Sequence, residues 1–293
     1  MGTDPGPYTL LDVSPDHLPV LDRFLYEAEY SLIHVEHGRI ADMLRRQEVF
    51  ALSLGDELAC VIGVAIGPQT VAHIRVFALH HTISAKEALN LLLPSMSESL
   101  SARGVTTVAF TGLDEWLLAG LEGSGFRLAH HIMTMQKTDF KVPSQGNLSI
   151  AVRPVRDQDL SALVGIDEQV FDPLWRNTTE SLSQQQSESP WFYVAEHNWT
   201  VIAYQNVSLI GRHGHITRIA VHPHYQRKQV GARLLAEGIA YLERKQVFGI
   251  TLNTQQENAP ARRLYEWFGF QELGREAQVM VLELPCLPSP LQV

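Results

Sequence analysis

The chain has 293 residues, 45% of them apolar and 19% charged, which is enough for about two folded domains. Its formal net charge of −9 argues against nucleic acid as a partner and favours cationic or amine-bearing ligands. Its two cysteines, Cys60 and Cys286, form no CxxC pair and no leader or membrane-length apolar run is evident, so we expect a cytoplasmic protein without a disulfide scaffold, a metal site or a membrane partner.

The first half of the chain carries strand and helix patterns in alternation. The run HIRVFALH, from His73 to His80, is short and apolar as in a buried strand, and helical periodicity follows over 86–102. The loop between them reads HTISAKEA and contains no glycine. The run LEGSGF, from Leu121 to Phe126, follows further along the same half.

A boundary falls at KVPSQGN, residues 141–147, where proline, serine and glycine interrupt the pattern before the apolar run LSIAVRPV. This interruption predicts two domains, residues 1–143 and residues 144–293.

The second half begins its clearest pattern at ITRIAV, residues 216–221, a β-branched strand that Pro223 ends because proline has no N–H. A helix is predicted over 232–245, with an apolar stripe of Leu235, Ile239 and Leu242. The loop between them, with the first turn of the helix, directs backbone N–H groups at one point and suits a diphosphate.

The two halves resemble each other. HIRVFALH matches HITRIAVH of the second half at a shift of about 142 residues, and LEGSGF matches YEWFGF, residues 265–270, at a shift of about 144. The chain therefore reads as a tandem duplication, in which the first copy has lost loop length where the second has its phosphate loop.

Two motifs of the second half carry a family resemblance. The first is the loop of Gln226, Arg227, Lys228, Gln229, Val230 and Gly231, and the second is formed by Asn258, Ala261, Leu264, Tyr265, Gly269 and Phe270. Together they resemble the GNAT superfamily of acyl-CoA N-acyltransferases. The first motif matches the pyrophosphate loop of that family, with Gln229 in place of a preferred glycine, and the second matches its second signature without exception.

The resemblance implies an α/β (α+β) fold of two tandem GNAT-like domains, each a mixed, mostly antiparallel sheet flanked by helices. The first copy lacks the pyrophosphate loop and has Leu121 where the second has Tyr265, so we expect it to be degenerate. The second copy is similar to GNAT enzymes that acetylate ribosomal-protein N termini.

The resemblance also implies acetyl-CoA as co-substrate, without a metal. The pantetheine arm is expected along the backbone of Ile219, Ala220 and Val221, and the diphosphate on the loop from Gln226 to Ala232. Asn258 is expected either to bond the cofactor or to cap the following helix.

By the same resemblance, Tyr265 is the expected general acid, since a phenol of pKa about 10 stays protonated at neutral pH. The base is left open between His215, a water chain and the carboxylates Asp167 and Glu168. Phe171 and Trp175 are expected either to contact the acceptor or to pack between helix and sheet.

The function expected from these motifs is transfer of an acetyl group to a primary amine by direct attack. The acceptor is an amine-bearing small molecule or a peptide N-terminus, and the oligomeric state is left open. The alternative, favoured by Gln229, is a catalytically silent acyl-CoA-binding or regulatory protein.

Overall fold

A computed structural model of the protein describes residues 7–35, 37–67 and 70–285, so Cys286 lies outside the described residues. The chain forms two compact units, the first made of Met1–Ala129 with Gln278–Val293 and the second of His130–Ala277. The last strand of each sequence half thus contributes residues to the unit of the other half. The division predicted from the sequence, into residues 1–143 and 144–293, separates the two sequence copies and not the two compact units, and it stays a prediction.

The first unit is a mixed, mostly antiparallel sheet with helices. Its strands are β1 Tyr8–Leu11, β2 Tyr30–Ile33, β3 Val49–Leu54, β4 Glu57–Ile66, β5 Val71–Leu79 and β6 Thr107–Gly112. Its helices are α1 Leu18–Glu27, α2 His37–Arg45, α3 Ala85–Ala102 and α4 Glu115–Glu122. The strands follow the order β1-β3-β4-β5-β6, β2 pairs with β5, and residues 278–283 complete the sheet beside β6.

The second unit repeats this plan. Its complete strands are β8 Ala151–Pro154, β9 Trp191–His197, β10 Thr200–Ile210, β11 His213–Val221 and β12 Gly249–Gln255. It also includes β7 Arg127–Lys137 from His130 onward and the beginning of β13 Gln271–Glu283, as far as Ala277. Its helices are α5 Leu160–Val170, α6 Thr179–Glu188, α7 Val230–Arg244 and α8 Ala259–Trp267. The strand order is β7-β12-β11-β10-β9-β8, and β11 pairs with β12 in parallel.

Apolar clusters cover the two faces of this second sheet. On one face α7 and α8 pack, and the predicted stripe of Leu235, Ile239 and Leu242 is fully buried there. On the other face α5 and α6 pack around Leu163 and Tyr204. No helix in the described part of the chain is long and apolar enough to span a bilayer.

The segment before β8 lies against the start of α7. Gly146 has a φ of +68°, and a Cβ added there would overlap the backbone nitrogen of Arg233. The neighbouring Asn147 donates from its backbone N–H to the carbonyl of Gln229 at 3.3 Å, and from its side-chain amide to the carbonyl of Lys228 at 3.3 Å. The segment therefore holds the loop that leads into α7.

We expect Gly146→Ala to lower the free energy of unfolding by more than a left-handed angle alone would. The angle costs an L residue roughly 1–2 kcal/mol, and displacing the backbone of α7 adds an overpacking cost of about 1–3 kcal/mol. Urea unfolding measures the sum. The matched control is Gly211→Ala, where φ is +60° and a Cβ meets nothing within 4 Å. Equal losses in both variants would contradict the tight approach at Gly146.

Candidate active site

The site begins where two parallel strands diverge. β11 and β12 pair from His213 with Gly249 as far as Ile216 with Leu252. Beyond that point β12 continues on β7, whereas β11 continues on β10 past a bulge. No described strand pairs with the outer edge of β11 from Thr217 to Val221, which we call the open edge. Backbone N–H and C=O groups need partners, so this edge suits an extended ligand that adds as a strand.

The loop that follows the open edge, with the first turn of α7, forms the cradle, residues 226–232. Arg227 and Gln229 both have a left-handed backbone, each with a φ of +59°. Among the described residues no partner bonds the N–H groups of 227–229, and the first N–H groups of α7 lack intrahelical partners by geometry. Alternating left- and right-handed residues at a helix start make an anion-binding concavity.

Gln229, which stands where the family prefers glycine, has a left-handed backbone in the structure. Such a backbone disfavours a residue with a Cβ by roughly 1–2 kcal/mol. Two hydrogen bonds hold the conformation, because the carbonyl of Gln229 accepts from Arg233 N–H at 3.0 Å and from Asn147 N–H at 3.3 Å. Both bonds use the carbonyl, so the N–H of Gln229 keeps no partner among the described residues, whereas the N–H of Gln226 donates to the Pro223 carbonyl at 3.3 Å.

Helix α8 carries Tyr265, which is 8% exposed and packs edge-on against Phe270. Burial raises the pKa of its hydroxyl to about 12, and no described group hydrogen-bonds it. The cradle lies close to this helix at Gly231, where an added Cβ would lie 3.3 Å from the side chain of Leu264. Asn258 caps α8, and its side-chain oxygen accepts from Ala261 N–H at 3.2 Å.

His215 lies on the closed part of the strand pair, opposite Thr251. Its Nδ1 is 2.9 Å from the Thr251 hydroxyl. Burial lowers the pKa of the imidazole below its usual 6.5, so the ring is neutral at neutral pH. A neutral ring is the form that a general base requires.

The loop after α5, residues 171–178, is held over the α5 and α6 face by Arg218 of β11. The guanidinium stacks on the Phe171 ring at 4.0 Å and donates to the backbone carbonyl of Trp175. It also donates to Asp167 Oδ2 at 3.0 Å. Arg218 therefore connects the open edge to both predicted acceptor residues.

Asp167 is fully buried and engaged on both oxygens. It accepts from Arg218, from the Tyr204 hydroxyl and from Asn177 N–H at 2.8 Å. This carboxylate anchors the loop and is not available as a base, contrary to the alternative raised from the sequence. Glu168, the next residue of α5, is exposed.

Sequence reasoning missed three groups around the divergence, of which two lie across it from β11. His130 of β7 has its ring centroid 6.4 Å from that of Trp175. Its Nδ1 is 3.8 Å from Glu257 Oε1, in the turn between β12 and α8. No local pattern marks His130, because it comes from the first half of the sequence. Arg218 was missed because it reads as an ordinary strand residue.

The corresponding place in the first unit is built differently. Helix α3 begins after Ser84, whose side chain accepts from Glu87 N–H at 3.2 Å. Leu121, at the position of Tyr265, is completely buried in the apolar core. The first unit therefore has a core leucine in place of the phenol.

Comparison with known proteins identifies the class. Residues 160–270 match the acetyltransferase (GNAT) family. The chain is 29% identical over 141 residues to the mycothiol acetyltransferase of Brachybacterium faecium, a match that covers 43% of this chain and 42% of that protein. It is 30% identical over 114 residues to the ribosomal protein bS18-alanine N-acetyltransferase of Escherichia coli, which covers 39% of this chain and 76% of that protein. The chain belongs to the GNAT acetyltransferase family.

The fold of the whole chain is also found in a solved tandem GNAT protein from the clavulanic acid biosynthesis pathway. The TM-score is 0.62 at 12% identity, with 97% of this chain and 100% of that chain covered. The prediction of two tandem GNAT-like domains with mixed sheets is thereby confirmed. The chain spans less than half the length of the mycothiol acetyltransferase.

We expect Asp167→Ala to lower the free energy of unfolding by about 3–5 kcal/mol, because it leaves the guanidinium of Arg218 half-buried without its carboxylate. Urea unfolding measures the loss. The matched control is Glu168→Ala, which removes an exposed carboxylate from the same helix and should change stability by under about 0.5 kcal/mol. Comparable losses in both variants would show that the Asp167 contacts contribute no special stability.

Proposed function

We propose that this protein is an N-acetyltransferase that uses acetyl-CoA and a primary amine, with its catalytic groups in the second unit. The observation that carries the proposal is the continuity of the open edge with the cradle. An extended ligand bonded along the edge would end with its anionic group at the start of α7. The pantetheine diphosphate of coenzyme A has this shape and charge.

The acyl-CoA would be held by backbone groups for most of its length. Ile219 and Val221 would offer backbone groups of the open edge to the pantetheine amides, because residues alternate along β11 and His222 N–H already donates to Ile202 on the β10 side. Ala220, between them, would line the arm without bonding it. The diphosphate would take the free N–H groups from Arg227 to Ala232, including those of Val230 and Gly231, whereas Gln226 begins the loop with its own N–H bonded to Pro223. Arg227 and Lys228, both exposed, would add charge-assisted contacts.

Tyr265 would hold a proton for the sulfur that leaves. Its raised pKa keeps the hydroxyl protonated throughout the neutral range, so the donor is always present. His215, neutral because of its burial, or a water chain would take the proton of the amine. Asn258 caps α8 and so orients the helix that carries Tyr265, and a bond to the cofactor is also proposed for it.

The acceptor would lie on the α5 and α6 face, beside Phe171 and Trp175. A peptide N-terminus and a small-molecule amine both remain as acceptor classes. The name of the Escherichia coli relative supports the first class, and its match covers 76% of that protein. The net charge of −9 favours a cationic acceptor of either class.

We expect Tyr265→Phe to lower turnover about 10²- to 10⁴-fold without loss of acetyl-CoA affinity, because the ring and its contact with Phe270 remain while the proton donor is lost. Release of the coenzyme A thiol is measured with three amines: a peptide that begins with alanine, glucosamine and an aminoglycoside. Calorimetry measures the affinity.

The matched control is Tyr241→Phe, which removes a half-buried phenol from α7 beside Trp191 and should leave turnover unchanged. Full activity of Tyr265→Phe would show that another group donates the proton to the leaving sulfur. Tight acetyl-CoA binding without thiol release in the parent protein would favour the silent acyl-CoA-binding alternative.

We expect Gln229→Gly to leave acetyl-CoA affinity unchanged or to tighten it. Glycine adopts the left-handed angle without a Cβ penalty and lets the backbone approach the phosphates more closely. Calorimetry with acetyl-CoA measures the change.

The matched control is Gln246→Gly, because Gln246 is also exposed and left-handed, with a φ of +54°, but follows the far end of α7. Its replacement should relieve similar strain without any effect on affinity. A several-fold loss of affinity confined to Gln229→Gly would mean that the glutamine side chain itself bonds the phosphate.

A further inference from the structure

The loop that carries Trp175 touches both sides of the strand divergence. Its backbone carbonyl at Trp175 accepts from Arg218, which belongs to β11 on one side. Its indole ring lies near His130, which belongs to β7 on the other side. Trp175 therefore lies over the opening that the divergence creates, on the α5 and α6 face of the sheet. Its indole N–H is buried and has no hydrogen-bond partner among the described residues.

His130 points to this same face. Residues alternate along a strand, and Thr134 of β7 donates to the Asn253 side chain at 3.0 Å while Met133 packs into the opposite core. His130 lies four residues before Thr134 and therefore on the same face of β7. The next residue, His131, lies on the other face with Met133, and its Nδ1 is 3.6 Å from Glu276 Oε2.

The carboxylate of Glu257 lies beside the imidazole of His130. The turn that carries this carboxylate is fixed, because Gln256 N–H donates to the carbonyl of His131 at 2.9 Å and Asn258 N–H to that of Gln255 at 3.0 Å. Glu257 faces Nδ1 at 3.8 Å, so Nε2 is the nitrogen left for another partner. Among the described contacts the charged group that faces His130 is Glu257 from the turn, and Arg218 of β11 contacts the Trp175 loop from the other side.

A purely structural role does not account for the pair. The side chain of His130 is 27% exposed and that of Glu257 is 57% exposed. A contact this open to water adds little stability. Its exposure does allow a proton taken by the ring to pass on to solvent.

We propose that His130, oriented by Glu257, is the general base that takes the proton from the acceptor ammonium beneath Trp175. This inference rests on the proposed function and replaces His215 as the base, since His215 lies on the closed part of the strand pair with its Nδ1 beside Thr251. A residue of the first sequence half thereby completes the active site of the second unit.

The step balances as follows. Nε2 of His130 takes one proton from the ammonium, and the freed nitrogen lone pair forms the bond to the acetyl carbon. The bond between that carbon and sulfur breaks, and the Tyr265 hydroxyl gives its proton to the sulfur. The second proton of the nitrogen restores the Tyr265 hydroxyl, and His130 releases its proton to water. The products are the acetylated amine, the free thiol and one proton.

The test compares His130→Gln with its neighbour His131→Gln, using whichever of the three amines the parent protein acetylates fastest. We expect His130→Gln to lower kcat/KM about 10²- to 10⁴-fold near pH 6.5. The defect should shrink above about pH 8, where an α-amine deprotonates without help. His131→Gln, which changes a histidine paired with a glutamate on the opposite face, should keep the rate and the pH profile of the parent.

Two further readings separate catalysis from structure. Calorimetry should give the same acetyl-CoA affinity for both variants and the parent. Glu257→Gln should lower kcat/KM less than His130→Gln, and the double variant should be no slower than His130→Gln alone, because the carboxylate acts through the imidazole.

An unchanged rate in His130→Gln, a defect that is the same at every pH, or equal defects in both histidine variants would overturn this inference while leaving the proposed function in place. A parent protein that binds acetyl-CoA but releases no thiol with any of the amines would overturn the proposed function, and the inference with it.

Discussion

The divergence of β11 from β12 after Ile216 is the constraint on which the rest of the second unit depends. A strand inside a sheet has its backbone groups bonded on both sides, and here one side of β11 loses its partner over 217–221. Backbone N–H and C=O groups left in this state require another partner, whether water or a ligand. The cradle, α8 and the Trp175 loop all lie around this open edge.

Two kinds of interaction keep that arrangement fixed around the opening. Buried polar contacts do so on the acceptor side, where Asp167 and Arg218 tie the loop to β11 at both ends. Tight backbone approach does so on the phosphate side, where Gly146 and Asn147 press against the start of α7. A buried charge pair is costly to break, and a close-packed backbone is costly to displace. Rigid support of this kind limits the reorganisation that a ligand must induce.

The composition of the compact units explains what a tandem chain gains. The part of β7 from His130 onward, which belongs to the first sequence half, pairs with β12 in the second unit. The first half therefore does more than repeat a fold. It supplies a sheet strand next to the opening, and the groups on that strand lie beside the proposed acceptor position. A second half expressed without this strand would leave one edge of β12, from Ile250 to Gln255, without its partner.

The sequence by itself determined the elements whose causes are local. The apolar stripe of α7, the strand before Pro223 and the cap at Asn258 follow from residue periodicity and from side chains that bond their own backbone, and the structure has all three. The burial of Tyr265, the anchoring role of Asp167 and the meeting of His130 with Trp175 were decided by the tertiary structure. Each depends on residues brought together from distant parts of the chain, and a pairing such as Arg218 with Asp167, or His130 with Glu257, leaves no periodic trace in the sequence.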